Sequence, residues 1–135
     1  MNKMTVALVG FLAGGLVFAD NLEGVDELVC ATAQVQICIE NDTCHSASAS
    51  ELNMPGFVVI DLRKKKISTT KASNENRSTP FTNVEKRDGL IFLQGIEGER
   101  AFSFVIDVAS GKITAAISTD GVSISVFGAC VDTDL

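Results

Sequence analysis

The chain has 135 residues, which sets one domain as the prior. With 46% hydrophobic and 21% charged residues, its composition is globular rather than disordered. A formal net charge of −6, no Trp, no Tyr and one His argue against nucleic-acid binding and leave little for histidine-based catalysis or metal chemistry.

Residues 1–19 read as a secretory signal peptide. Lys3 supplies the positive start, residues 4–18 form an uncharged, mostly apolar run, and Val17 and Ala19 stand at the −3 and −1 positions of a cleavage site. The run is shorter than the about 20 residues of a membrane-spanning helix, and Gly10, Gly14 and Gly15 weaken it as a helix. The expected domain organisation is therefore a leader over 1–19 and a single domain over 20–135. Loss of Lys3 with the leader leaves 10 basic against 17 acidic residues, a net charge of −7. No second long apolar run follows, so no membrane insertion is expected after cleavage, and the predicted location is the periplasm or the exterior.

Four cysteines in an exported chain, Cys30, Cys38, Cys44 and Cys130, predict two disulfides. Three pairings are possible. We favour Cys38–Cys44, a short staple after a strand, with Cys30–Cys130, which ties the first strand to the end of the last. On the chain-entropy model the long loop gains about 4–5 kcal/mol. A metal site on Cys38, Cys44 and His45 is the rival reading, but its spacing fits no zinc pattern.

Residues 29–39 alternate Ala31, Ala33, Val35, Ile37 and Ile39 against Thr32, Gln34 and Gln36, the period of a half-buried strand. Residues 40–56 read as a long loop with a helical turn near Ser50, Glu51 and Leu52. Strands are predicted at 57–62 and 66–70 around a turn at Arg63, Lys64 and Lys65, followed by a loop over 72–79. A weak strand at 81–86 meets a strong one at 90–94 through the hairpin signal Asp88-Gly89. Residues 95–98 read as a turn. Strands at 101–108, 112–118 and 122–127 form a meander, with Phe102, Phe104 and Ile106, then Ile113, Ala115 and Ile117, then Val122, Ile124 and Val126 on one face.

Eight short strands in order predict an all-β antiparallel meander closed into a small up-and-down, lipocalin-like barrel, with an open sandwich as the alternative. One detail conflicts with the disulfide pairing. Cys130 shares the parity of inward Val126, whereas Cys30 has the opposite parity to Ile37. A bulge at Gly128 would reconcile them.

Candidate chemistry is sparse. His45 reads as a loop residue with no nucleophile to serve. The carboxylates Asp107, Asp120, Glu97 and Glu99 read as turn and surface groups. Arg63 to Lys66 form a basic knot at a hairpin turn, and Asn41 and Asn76 head glycosylation-like triplets. The chain ends Thr133-Asp134-Leu135, a short match to ligands of carboxylate-capturing domains. Phe127 and Val105 have outward parity and predict an apolar patch, covered by the 46–55 loop or by a partner. No catalytic residue, cofactor or metal is assigned, and the chain is expected not to be an enzyme.

The strand carrying Cys30, the cysteines Cys38 and Cys44, the 98–103 stretch, the 106–112 hairpin and the Val126-Phe127-Gly128-Ala129-Cys130 ending together resemble a group of small exported proteins of Gram-negative bacteria. The resemblance implies periplasmic export and disulfides and carries no activity. In size, strand count and cysteine use the chain is also similar to small β-barrel lysozyme inhibitors, although their inhibitory loop is not matched residue by residue. The leading expectation is a monomeric, non-catalytic protein that binds a basic protein partner such as a cell-wall hydrolase. The alternative is a lipocalin-like carrier of a small apolar ligand. A fully packed barrel interior favours the first reading and a cavity favours the second.

Overall fold

A computed structural model describes residues 21–134. The expected leader and the terminal Leu135 lie outside the described residues. Nine strands follow one another: β1 (Glu27–Ile39), β2 (His45–Ala47), β3 (Phe57–Asp61), β4 (Lys66–Thr69), β5 (Ser78–Arg87), β6 (Leu90–Glu97), β7 (Arg100–Asp107), β8 (Lys112–Thr119) and β9 (Val122–Asp132). All pair antiparallel, each with its sequence neighbour from β3 to β9, and β9 returns to pair with β1. The result is a closed eight-stranded barrel. β2 is the additional strand. It shares one edge of β1 with β3, opposite Val35 to Ile37, while β3 lies opposite Glu27 to Ala31.

Several boundaries differ from the sequence reading; β1 starts at Glu27 rather than 29, and β9 runs to Asp132 rather than ending at 127. The segment 40–56, expected to be loop, contains β2 as well as the expected 3-10 turn at Ser50–Leu52. β5 starts at Ser78 rather than 81, because Ser78, Thr79 and Pro80 continue the ladder opposite β4. β6 runs through Gly95 to Glu97, leaving Gly98 and Glu99 as the turn. Gly95 pairs with Phe102 in the ladder, and glycine suits it because the Phe102 ring occupies its side-chain space: a Cβ there would lie 2.5 Å from the ring.

The turns obey their local chemistry. Asp88 and Gly89, both with positive φ (54° and 75°), form the two-residue hairpin that the Asp-Gly signal predicts. Gly98, with φ 58°, opens the β6–β7 hairpin.

The parity conflict is resolved in β1, not at Gly128. The β1–β9 register slips between Thr32 and Gln34, so Ala33 is an extra residue. Before the bulge Leu28 and Cys30 are buried, and after it Val35 and Ile37 are. β9 keeps one parity throughout, with Ile124, Val126 and Cys130 all buried. The single alternation expected over 29–39 is therefore broken. Ala33 is exposed, and Ile39 is 39% exposed. Gly128 stays regular and glycine is required there, because a Cβ would run into the Ala31 carbonyl oxygen.

Both disulfides form as favoured: Cys30–Cys130 and Cys38–Cys44. The first joins directly opposed residues across the seam that closes the barrel. The second closes the β1–β2 connection. Two disulfides point to an oxidising, extracytoplasmic environment. Among the described residues no helix is long and apolar enough to cross a membrane.

The lower end, where the 62–65, 88–89 and 108–111 turns lie, is plugged. Leu22, only 1% exposed, is held by its backbone N–H donating to Val108 O at 2.8 Å. Arg63 pairs with Asp26 at 2.7 Å beside it. Above the plug, Leu28, Ile60, Leu93 and Ile106 are fully buried. Burial of each such side chain stabilises by about 1.5–3 kcal/mol. A second, smaller cluster (Val35, Ile37, Ala115, Ile124 and Val126) fills the upper half. Phe104 and Ile117 pack against both clusters.

Candidate functional site: a lidded barrel interior

Between the two clusters the packing is incomplete. A cavity of about 120 Å³ remains inside the barrel. Its walls include Phe102 and Phe104 of β7, Ile113, Ala115 and Ile117 of β8, and Val126 of β9. The two phenylalanine rings lie 5.1 Å apart, tilted by 39°. The rest of the lining is less apolar, with Thr32, Thr69 and Thr79 beside Val58 and Ile67. No polar or charged residue among those described is buried. Phe104 is only half-buried because one side of its ring borders the void.

Residues 48–55 cover the upper end. The Ser48 N–H donates to Glu51 Oε2 at 3.0 Å, and the Glu51 N–H donates back to Ser48 Oγ at 3.3 Å. This reciprocal Ser-x-x-Glu arrangement starts a single 3-10 turn, which ends at left-handed Asn53. The turn presents Leu52 and Met54 to the upper cluster, and Met54 and Pro55 roof the cavity.

Two arginines fasten this lid to the rim. Arg77 Nη1 donates to Asn53 O at 3.0 Å, and Arg100 Nη1 donates to Leu52 O at 3.4 Å. Arg77 Nη2 also pairs with Glu97 Oε1 at 2.8 Å. Arg77 is itself placed by Thr69: the Arg77 N–H donates to Thr69 Oγ1 at 3.1 Å, and the Thr69 N–H donates to Arg77 O at 3.0 Å. Arg77, Glu97 and Arg100 line the cavity and also an outer polar depression with Asn53, Glu75, Glu99 and Thr119. They are thus the boundary between apolar interior and solvent. Arg100 has no carboxylate partner within ion-pair distance among the described residues.

The sequence did not single out Arg77 or Arg100 as functional. Arg77 appeared only within a glycosylation-like triplet. Strand parity carries the missing signal. Arg77 has the parity of buried Phe81, Glu97 that of buried Leu93, and Arg100 that of buried Phe102. Charged residues on the inward face at one end of three adjacent strands mark a barrel mouth.

The other candidates are dispersed. Cys38 and Cys44 are bonded to each other, and His45 is exposed opposite Ile37, so the three do not form a metal site. Asp107 organises its own turn, accepting from the Ala109 N–H and the Ser110 hydroxyl, each at 3.0 Å. Glu97 and Glu99 do not act as a pair, since Glu97 is engaged by Arg77. Arg63 to Lys65 sit at the lower turn, where Asp61 accepts from the Arg63 and Lys64 N–H groups. Phe127 is 43% exposed, and the lid does not cover it, because Leu52, Met54 and Pro55 face the interior.

Fold and site together define a small closed antiparallel β-barrel with a lidded, largely apolar interior. Comparison with protein-family models, with curated proteins and with solved structures gives no match.

Proposed function

We propose that the protein is an exported, periplasmic, non-catalytic barrel that holds a small, largely apolar molecule beneath the 48–55 lid. The observation that carries this reading is the cavity of about 120 Å³ between the two core clusters. A fully packed interior would favour a protein whose business is entirely on its outer surface, and a void bounded by Phe102, Phe104 and Ile117 favours cargo. An apolar cavity of about 150 Å³ takes up benzene, which sets the size class of the ligand. Export is supported by the signal-peptide pattern of residues 1–19 together with the two disulfides. The test is titration of the oxidised protein, purified from the periplasm, with benzene. Saturable binding is expected, with loss in an Ala115→Leu variant that fills the void. Absence of binding to the wild-type protein overturns the reading.

A second reading, docking of a basic protein, is favoured by one row on the outer surface. Phe92, Val105, Thr114 and Phe127 stand directly opposite one another across β6, β7, β8 and β9. A chain of net charge −7 after leader removal would attract a basic partner, to which this row offers apolar contact. Binding to a basic cell-wall hydrolase that is lost in Phe127→Glu supports it, and unchanged binding in that variant removes it.

A further inference from the structure

We infer that the cargo is a short-chain monocarboxylate, its tail in the cavity and its carboxylate on Arg100. This inference rests on the cavity reading above and deepens it.

The first argument is charge. The interior holds no buried charged residue, so selection for a charged group falls on the rim. Three charged side chains line the cavity itself: Arg77, Glu97 and Arg100. Arg77 and Glu97 neutralise each other at 2.8 Å. Arg100 is left with one donated bond to a lid carbonyl, at 3.4 Å. A guanidinium presents five N–H donors in a planar fork that matches a carboxylate. Most of that capacity is free at a half-buried position, where a charge-assisted pair is stronger than at an open surface.

The second argument is size. A cavity of about 120 Å³ is close in size to the apolar cavity of about 150 Å³ that takes up benzene, so it has room for a tail of a few carbons. A tail of that length, extending from a carboxylate at Arg100, fits the space between the rim and the Phe102–Phe104 pair. The third argument concerns the number of charges. Glu75 and Glu99 stand farther out, in the outer depression and not on the cavity wall. They oppose a doubly charged head such as a phosphate more strongly than a single carboxylate.

The geometry also links binding to the lid. Arg100 reaches both the cavity and Leu52 O, and that long bond is the weaker of the two arginine fastenings. A carboxylate that draws Arg100 inward leaves Arg77 as the remaining fastening on Asn53.

The experiment compares pentanoate with pentanamide, its neutral isostere, each displacing benzene from the oxidised protein. Pentanoate is expected to bind at least tenfold more tightly. Arg100→Gln should bring the two to parity because pentanoate loses far more than pentanamide, and Arg100→Lys should restore part of the preference. Equal binding of the two to the wild-type protein overturns the carboxylate inference and leaves the cavity reading standing. If neither displaces benzene, the carboxylate inference fails. If benzene itself does not bind, the cavity reading fails with it. An equal fold-loss of both ligands in Arg100→Gln, with the preference for pentanoate retained, would mean that Arg100 acts only as a lid fastening, which also overturns the inference.

Discussion

Cys30 and Cys130 stand directly opposite each other across the β1–β9 seam, one hundred positions apart in the chain. That seam turns a meander into a closed barrel, so the bond fixes the most non-local strand pairing in the fold. On the chain-entropy relation a loop of this length is worth about 4.7 kcal/mol, and measured losses on removing a native bond run about 2–5 kcal/mol. Cys130→Ser is expected to lower unfolding free energy within that range, read from denaturant midpoints. Cys44→Ser opens only the six-residue separation of Cys38–Cys44, for which the same relation gives about 2 kcal/mol. An equal loss in both variants would show that the long bond does not act through the unfolded chain.

The bulge at Ala33 makes its own prediction at Gly128. Here β9 passes so close to β1 that any Cβ meets the Ala31 carbonyl oxygen, a backbone atom that cannot swing aside. Gly128→Ala should therefore cost about 1–3 kcal/mol, the usual range for overpacking. Gly121→Ala should cost less through contact, since the nearest atom to a Cβ there is a Glu40 side-chain oxygen at 3.4 Å. Its positive φ of 71° still imposes strain. Thermal unfolding of both variants checks the order.

The barrel was legible because each late strand carries an unbroken alternation, and the lidded mouth was not. Phe102, Phe104 and Ile106 point inward as their period requires, and Asp88-Gly89 turns the chain where that pair favours a hairpin. The β1 face was misread because a bulge leaves no mark in composition: Ala31, Ala33 and Val35 are all compatible with one alternation, and only pairing with β9 breaks it. β2 was missed for a related reason. His45, Ser46 and Ala47 carry no strand propensity of their own and are held by β1 through the register Val35 to Ile37. The sequence left three disulfide pairings open, and the favoured one rested on Cys30 and Cys38 standing at the two ends of the predicted 29–39 strand, with Cys44 in the following loop and Cys130 just past the last strand. The cavity was not, since a void is a property of packing between distant side chains such as Phe104 and Val126, not of any local pattern.

Phe104 bridges the two core clusters and borders the void, so its truncation tests both packing and site. A fully enclosed phenylalanine replaced by alanine costs about 3–5 kcal/mol. Phe104 is half-buried, with one face already lacking neighbours, so Phe104→Ala is expected near the low end, at about 3 kcal/mol. The same change merges the space of the ring with the existing cavity. Naphthalene, too large for the wild-type interior, should bind the variant. A loss of less than half a kcal/mol with no gain in ligand size would mean that the ring does not hold the two clusters together.

The lid is fastened by contacts that matter more locally than globally. The Arg77–Glu97 pair is about a third exposed on each side, with side-chain exposures of 30% and 40%. A pair screened to that extent contributes about 1 kcal/mol or less to global stability. Removing the guanidinium also removes the bond to Asn53 O, and with it one of the two fastenings of residues 48–55. Nothing in the barrel wall depends on that bond. Arg77→Met should therefore shift the unfolding midpoint only slightly. The Leu52, Asn53 and Met54 amides, which donate to Ala49 and Ser50 carbonyls within the turn, should exchange with solvent at least tenfold faster. The Leu22 amide of the plug and the Cys130 amide of the barrel should keep their protection. Hydrogen exchange read residue by residue separates the two effects. Accelerated exchange across the whole barrel, with a large drop in the unfolding midpoint, would show that Arg77 supports the wall itself and not the lid alone.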